Sequence, residues 1–305
     1  MMSADSTQYV GRFAPSPSGP LHFGSLVCAL ASFLDAKKNN GLWLLRIEDI
    51  DPPREDPKHV DTILNQLEHH GLHWNGPILF QSQRTTSYAR ALDELHRQHL
   101  TYACTCSRKR LGPMSGVYDG HCRARTATSE PHAVRLTLAK SSEQTIAVDD
   151  LIMGDYRQNL HREVGDFVLR RKDGLYSYQL ASVIDDQFQG ITRVVRGYDL
   201  LNSSPRQRYL QRCLNYPSLE YAHVPIAVDQ KGHKLSKQTK AQALKNRLAP
   251  INLWNALDWL GQKPPKTLLK APVMQLLEWA MRHWVLQQVS NRPARPAQQD
   301  HDYEL

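Results

Sequence analysis

A turn rich in glycine and proline constrains this chain more than any other feature of its sequence. Residues 11–25 read G-R-F-A-P-S-P-S-G-P-L-H-F-G-S and follow Tyr9 and Val10, which indicate a short buried strand. After the turn, apolar residues recur at helical spacing over residues 26–34, so a helix begins at His22 to Ser25. Because the unpaired N–H groups at a helix start favour phosphate, the sequence predicts a nucleotide site at this turn.

A basic loop far downstream complements the turn. Residues 234–238 read K-L-S-K-Q and follow Gly232, and their two lysines can neutralise a triphosphate. The loop resembles the K-M-S-K-S signature of class I aminoacyl-tRNA synthetases. Residues 22–25, H-F-G-S, resemble the H-I-G-H signature of the same class, with Ser25 in place of the last histidine. Their joint occurrence, in the family's order, is far more specific than either motif alone.

Three further blocks lie between these two signatures, and each resembles a segment of glutamyl-tRNA synthetases. They are residues 45–51 (L-R-I-E-D-I-D), 173–181 (D-G-L-Y-S-Y-Q-L-A) and 191–200 (I-T-R-V-V-R-G-Y-D-L). The resemblance covers residues 8–260, and all five blocks stand in the order of that family.

Alternating apolar strands and helices predict an α/β fold with a doubly wound parallel sheet of the Rossmann type. Strands are expected near residues 9–13 and 42–47, and helices near 22–37, 59–70 and 86–99. With the resemblance, this pattern divides the chain into two halves of a nucleotide-binding catalytic domain (1–100 and 166–240), a zinc-binding insertion (101–165), a C-terminal helical stem (241–290) and a disordered tail (291–305).

The length of the chain bears on the branch of the family that it resembles. We expect 305 residues to hold one catalytic domain without the C-terminal anticodon-binding domain of a full glutamyl-tRNA synthetase. This short form, and the phrase R-I-E-D-I-D-P-P-R-E at residues 46–55, are similar to the glutamyl-queuosine tRNA(Asp) synthetases. The full-length enzymes usually have threonine at the place of Ile50. The paralogues attach glutamate to the queuosine base at the wobble position of the tRNA(Asp) anticodon.

The resemblance implies a two-step ligase reaction. Glutamate attacks the α-phosphorus of ATP, with Mg²⁺ accompanying the nucleotide, and a queuosine hydroxyl then takes the glutamyl group from the adenylate. The implied partners are ATP, L-glutamate and queuosine-containing tRNA(Asp). Three alternatives stay open: a minimal glutamyl-tRNA synthetase that charges the acceptor end of tRNA(Glu), another adenylate-forming enzyme of the superfamily, and a non-enzymatic RNA-binding paralogue.

The family's functional residues carry over to matching positions of this chain. His22 and Lys237 are the implied catalytic residues, because one can donate a hydrogen bond to phosphate and the other can follow the developing charge. ATP binding is assigned to Pro15, His22, Gly24, Ser25, Lys234, Ser236 and Lys237. Glutamate binding is assigned to Arg12, Phe13, Ala14, Pro15, Ser16, Glu48, Tyr178 and Arg196, where the guanidiniums suit carboxylates and Glu48 suits the α-ammonium.

Three cysteines in the insertion have a spacing that can hold zinc. Cys104, Cys106 and Cys122 supply three thiolates, and a fourth ligand would complete a closed structural site. Zinc chemistry alone prefers His121 for that place, since a phenol has a pKa near ~10. The paralogues show a Cys, Cys, Tyr, Cys pattern at this spacing, so the resemblance implies Tyr118, with His121 in reserve. One structural Zn²⁺ per chain is expected.

Charge and hydropathy bear on the partner and the cellular compartment of the protein. The formal net charge is +8, which favours an RNA partner, although a basic soluble enzyme would show the same balance. Basic residues near the cysteines are either RNA-facing or simply solvated: Arg108, Lys109, Arg110, Arg123 and Arg125. No apolar run is long enough to span a membrane and no leader pattern is evident, so we expect a cytoplasmic monomer with reduced thiols.

Overall fold

A computed structural model describes residues 8–112, 116–124, 128–139, 145–235 and 242–297. Its strands are β1 (Val10–Phe13), β2 (Leu42–Ile47), β3 (Leu79–Phe80), β4 (Thr101–Cys104), β5 (Ala133–Leu136), β6 (Thr145–Asp150), β7 (Gly154–Asn159), β8 (Val168–Arg170), β9 (Arg193–Gly197), β10 (Glu220–Val224), β11 (Ile226–Val228) and β12 (Ala294–Pro296). Its helices are α1 (Phe23–Lys38), α2 (Lys58–His69), α3 (Thr85–Arg97), α4 (Arg108–Leu111), α5 (Leu160–Glu163), α6 (Tyr178–Phe188), α7 (Ser204–Cys213), α8 (Ala249–Trp259) and α9 (Val273–His283). None of the helices in the described part of the chain combines the length and apolar character of a membrane span.

The central sheet is parallel around β1 and β9, which lie side by side. The N–H of Thr192 donates to the carbonyl oxygen of Val10 at 2.9 Å. On one side of this pair β1 pairs in parallel with β2, and β2 with β3. On the other side β9 pairs in parallel with β10, and β10 with β6. The chain order therefore reverses between β1 and β9, which confirms the predicted doubly wound fold and marks the expected ligand position.

The insertion differs from its predicted boundaries of 101–165. Its antiparallel sheet consists of β4, β5 and β8, so β8 belongs to the insertion and not to the second half of the catalytic domain. The hairpin of β6 and β7 lies inside the predicted insertion, yet β6 joins the central sheet, where Asp150 pairs with Tyr221. Local sequence pattern does not encode the pairing of β4 with β5, of β5 with β8 or of β6 with β10, because each joins strands that are far apart in the chain.

Helix α1 lies at the centre of the packing. Its apolar residues contact β1, β9, α8 and α9, and it is buried almost all around. The charged residue Asp35 on this helix is also buried. Its carboxylate accepts hydrogen bonds from Tyr9 (2.6 Å), Arg193 (3.0 Å) and Trp284 (3.3 Å), and these replace the hydrogen bonds to water that burial removes. The predicted helices near 22–37, 59–70 and 86–99 correspond to α1, α2 and α3 and are confirmed.

The chain after the helical stem was predicted to be disordered, and this is wrong for its first part. Strand β12 pairs in parallel with β11, and the N–H of Ala297 donates to Val228 at 2.8 Å. The indole of Trp259 also donates to the carbonyl of Pro296 at 2.8 Å. The segment is polar in composition, but its backbone is held by a strand partner. Residues 298–305 lie outside the described residues.

Replacing Gly165 with Ala is expected to lower the free energy of unfolding by about 3 kcal/mol. Gly165 has a φ of +69°, and a Cβ there would lie 2.3 Å from the carbonyl oxygen of Tyr118. The matched control is Gly190→Ala, with a φ of +64° and no atom of the described residues within 4 Å, for which about 1 kcal/mol is expected. Urea denaturation measures both, and equal losses would contradict the close approach as the cause.

Candidate active site

A cavity of about 520 Å³ opens where β1 and β9 end. Its position matches the reversal of strand order, where parallel sheets of this kind bind ligands. The cavity brings together all the described residues that the sequence assigned to ATP or glutamate, which are Arg12, Phe13, Ala14, Pro15, Ser16, His22, Gly24, Ser25, Glu48, Tyr178, Arg196 and Lys234. Ser236 and Lys237 lie outside the described residues.

The start of α1 forms one wall of this cavity. His22 is the N-cap, and its Nδ1 accepts a hydrogen bond from the N–H of Ser25 at 3.4 Å. A neutral imidazole that accepts at Nδ1 carries its proton on Nε2, so the ring has the donor that a phosphate oxygen requires. A Cβ at Gly24 would lie 3.1 Å from Cε1 of His22, and glycine at this position leaves room for the ring.

Lys234 lies on the same wall and is held by an acid that the sequence analysis did not assign. Its Nζ donates to Oδ2 of Asp199 at 2.6 Å. The next residue, Leu235, is fixed by a backbone hydrogen bond to Ala227 at 2.8 Å. Asp199 lies in the block of residues 191–200 that resembles glutamyl-tRNA synthetases. Its place in that block is the sequence feature that could have identified it as a site residue.

Arg12, at the end of β1, lines the cavity. Its Nε donates to Asp186 at 3.3 Å, and the two outer nitrogens have no hydrogen-bond partner in the part of the chain that the structure describes. Asp186 also accepts from Arg46 at 2.8 Å. The outer edge of Arg12 is thus a planar fork that can bind one carboxylate through two hydrogen bonds.

Arg196, at the end of β9, is fixed by its surroundings. It donates to His223 (3.0 Å), to the Tyr178 hydroxyl (3.0 Å), to the Ser204 hydroxyl (2.9 Å) and to the carbonyl of Leu200 (3.3 Å). A guanidinium has five N–H groups, so one N–H on Nη1 has no acceptor among the described residues and can serve a ligand.

Buried carboxylates accompany these two arginines. Three guanidiniums, of Arg12, Arg46 and Arg196, face two carboxylates, of Glu48 and Asp186. Burial raises the pKa of Glu48, against the opposing effect of Arg46 and Arg12. Burial would also raise the pKa of Asp186, but Arg46 and Arg12 outweigh it and lower that pKa.

A buried pair behind Arg196 was also not assigned from the sequence. His223 on β10 and Asp150 at the end of β6 have no solvent exposure, and their Nδ1 and Oδ2 atoms are 2.5 Å apart. Burial, together with the charge of Arg196, lowers the pKa of His223 to about 4. The imidazole is therefore neutral near pH 7, with its proton on Nδ1 toward Asp150 and its Nε2 lone pair toward Arg196.

The lowered pKa of His223 predicts an acid-sensitive contribution to stability. The unfolded chain takes up this proton near pH 6.5 and the folded protein only near pH 4, so stability is complete above pH 6.5 and is lost as the pH falls toward 4. The loss is expected to be on the order of 3 kcal/mol. Chemical denaturation at several pH values measures it against His223→Gln, and a parallel decline in both proteins would contradict the assignment.

The three predicted cysteine ligands meet in the insertion. The Sγ atoms of Cys104, Cys106 and Cys122 all lie within 4.8 Å of one another. The Tyr118 hydroxyl lies 3.4 Å from Cys104 Sγ and 3.5 Å from Cys106 Sγ. Four ligands of a tetrahedral zinc ion with Zn–S bonds of about 2.3 Å stand about 3.8 Å apart, so these four side chains fit the ion. His121 is exposed and is not part of this group of ligand atoms.

Comparison with known proteins adds to this geometry. The family model described as tRNA synthetases class I (E and Q), catalytic domain, matches residues 8–250. A protein of Pseudomonas fluorescens named Glutamyl-Q tRNA(Asp) synthetase is 51% identical over 284 residues, covering 93% of this chain and 94% of the relative. A Pseudomonas aeruginosa protein of the same name is 49% identical over 279 residues, covering 92% and 94%.

The fold is also similar to solved structures. A glutamate tRNA ligase from Elizabethkingia meningosepticum aligns with a TM-score of 0.79 at 24% sequence identity, covering 95% of this chain and 67% of that one. At this level of identity the likeness extends to the fold alone.

Proposed function

The chain belongs to the family of class I tRNA synthetases for glutamate and glutamine and is a ligase, and from this premise we propose that it activates L-glutamate with ATP and transfers it to the queuosine base of tRNA(Asp). The observation that carries the amino-acid part is the cavity, where the fork of Arg12, the fixed N–H of Arg196 and the carboxylate of Glu48 face one space beside the start of α1.

Each group has a role in the first step. Arg12 and Arg196 bind the two carboxylates of glutamate, and Glu48 accepts hydrogen bonds from its ammonium. This places the α-carboxylate beside the helix start, where the α-phosphate of ATP is bound. As the new P–O bond forms and pyrophosphate leaves, negative charge grows on phosphate oxygens, and His22, Lys234 and Lys237 stabilise it. Mg²⁺ would accompany the nucleotide.

The acceptor in the second step is assigned from the names of the relatives, both called Glutamyl-Q tRNA(Asp) synthetase. A basic surface near the cysteines supports an RNA partner. Arg108, Arg171 and Lys172 line a cleft of about 550 Å³ beside Cys104 and Cys106. Three of the basic residues in this region are themselves in ion pairs, Arg171 with Asp51 and Asp173, Arg110 with Asp119, and Arg123 with Asp166, and Arg125 lies outside the described residues.

The bound zinc would have a structural role. Cys104, Cys106, Tyr118 and Cys122 would hold it, and the ion would fix a module whose own apolar cluster is very small. We assign to this module the positioning of the RNA, with no part in the activation of glutamate.

Transfer of labelled glutamate tests the function directly. Three purified RNAs are compared in the presence of ATP: tRNA(Asp) with queuosine, tRNA(Asp) with unmodified guanosine at the wobble position, and tRNA(Glu). We expect label on the queuosine sample alone. Label on tRNA(Glu) would make the protein a glutamyl-tRNA synthetase, and no label on any RNA would contradict the proposed acceptor.

A further inference from the structure

We propose that Asp150 and His223 form a positioning relay for Arg196, in which the carboxylate fixes the imidazole tautomer and the imidazole fixes the guanidinium that binds glutamate. The proposal rests on the function given above. Neither residue lines the cavity, and both lie in strands on the far side of β9 from β1. Their effect on the reaction would pass entirely through Arg196.

The Asp150 carboxylate cannot turn. Its Oδ1 accepts hydrogen bonds from the backbone N–H groups of Met153 (2.9 Å), Ile152 (3.1 Å) and His223 (3.1 Å). Its Oδ2 is thereby directed at Nδ1 of His223, at 2.5 Å. Because an ionised carboxylate only accepts hydrogen bonds, it places the imidazole proton on Nδ1.

The opposite edge of the imidazole then offers a lone pair. Nε2 accepts from Nε of Arg196 at 3.0 Å, and the hydroxyl of Ser204 lies 3.3 Å away. A proton on Nε2 would oppose the N–H of Arg196, since a guanidinium has donors and no acceptor. The tautomer set by Asp150 is therefore the one that allows Arg196 its observed position.

Packing alone does not account for this arrangement. The side chains of Asp150 and His223 are fully buried, and the ring of Tyr221 stacks on the imidazole with 6.1 Å between the ring centroids. A buried carboxylate and imidazole are costly there, and such pairs are weak sources of stability compared with apolar side chains. The relay instead holds the guanidinium of Arg196 in one orientation, with its remaining N–H facing the cavity. Hydrogen-bond donors that are oriented before the ligand arrives favour binding and catalysis.

Asp150→Asn tests the relay by reversing the tautomer. The three backbone N–H groups retain the amide oxygen of the new side chain, so its NH₂ faces Nδ1 of His223 and drives the proton to Nε2. In ATP–pyrophosphate exchange dependent on glutamate, we expect KM for glutamate to rise about 30-fold. KM for ATP should change less than about twofold, because Arg196 contacts no group that the proposal assigns to the nucleotide.

Two substitutions at His223 form a matched pair. In His223→Gln the amide oxygen can occupy the place of Nε2 and accept from Arg196, so KM for glutamate should stay within about threefold of the wild type. In His223→Asn the amide can replace only Nδ1 and keep the bond to Asp150, so KM should rise about 30-fold. This pair retains the test if Asp150→Asn does not fold.

A buried histidine outside the relay serves as the control. His70 is bonded to the carbonyl of Gln66 at 2.6 Å and to Asn252 at 3.1 Å. His70→Gln should lower the thermal midpoint and leave KM for glutamate unchanged. Equal KM values for glutamate in His223→Gln and His223→Asn, or a rise in both substrates' KM values together, would overturn the relay. Absence of glutamate-dependent exchange in the wild type would instead overturn the proposed function.

Discussion

Arg12→Ala is expected to lower kcat/KM for glutamate about a thousandfold while the protein stays folded. The substitution removes the guanidinium fork from a buried wall of the cavity, so a glutamate carboxylate would have to enter without a partner. Loss of one partner of a buried ion pair typically costs about 3–5 kcal/mol, which corresponds to this factor. Asp186 does not become an isolated charge, because Arg46 still binds it at 2.8 Å.

Two further substitutions sharpen the test. Arg12→Lys keeps the charge but loses the fork, and a loss of about 10- to 100-fold is expected. Arg157→Ala removes an exposed arginine whose ion-pair partner among the described residues is Asp155 on β7, and it should leave the rate unchanged. The measurement is glutamate-dependent ATP–pyrophosphate exchange, with the thermal midpoint as a check on folding. Near-normal exchange by a folded Arg12→Ala protein would exclude Arg12 from glutamate binding.

Cys106→Ser is expected to release the metal and to reduce RNA labelling at least about 100-fold, with exchange changed less than about threefold. Cys106 lies 3.5 Å from both Cys122 and the Tyr118 hydroxyl, so its loss opens the group of ligands. The cysteine-bearing end of the insertion has only a small apolar cluster, whereas Leu136 and Leu169 of its sheet belong to the core around α3 and α6, so loss of the ion is expected to loosen the cysteine end alone. The activating cavity lies on the central sheet and does not include these cysteines.

Zinc content is measured together with the two activities. Cys213→Ser is the control, because Cys213 is a half-buried thiol of α7 outside the cysteine group, and it should retain both metal and labelling. A metal-free wild-type protein that labels RNA at the full rate would contradict the role given to zinc. Equal losses of exchange and labelling in Cys106→Ser would show that the module supports the whole fold and not the RNA step alone.

Local sequence pattern was sufficient for the five helices and strands whose positions it predicted and for the parts of the site that belong to short motifs. The helix after the glycine-rich turn, the strand at residues 42–47 and the cysteine group follow from spacing, and the residues assigned by resemblance surround one cavity wherever the structure describes them. Such motifs allow structure to be predicted because each depends on only a few neighbouring residues.

Polar residues that act through distant partners could not be predicted in this way. Asp186 meets Arg12 across 174 positions, and Asp150 meets His223 across 73. In the sequence Asp150 and Asp186 each follow another aspartate, and nothing in these short segments indicates the distant partner. The same reason explains the insertion boundary and the ordered strand β12, since both depend on backbone pairing between remote segments.

The pairing of β12 with β11 has a consequence for how the protein is made. Strand β11 leads into the turn that carries Lys234, and its outer edge is occupied by residues 294–296. A chain emerging from a ribosome folds from its N-terminal end, so the sheet and the helix start can assemble long before those residues appear. The edge of β11 is covered only when that late strand arrives. A nascent chain that stalls before this point would therefore hold an assembled cavity beside a strand whose outer edge is still open.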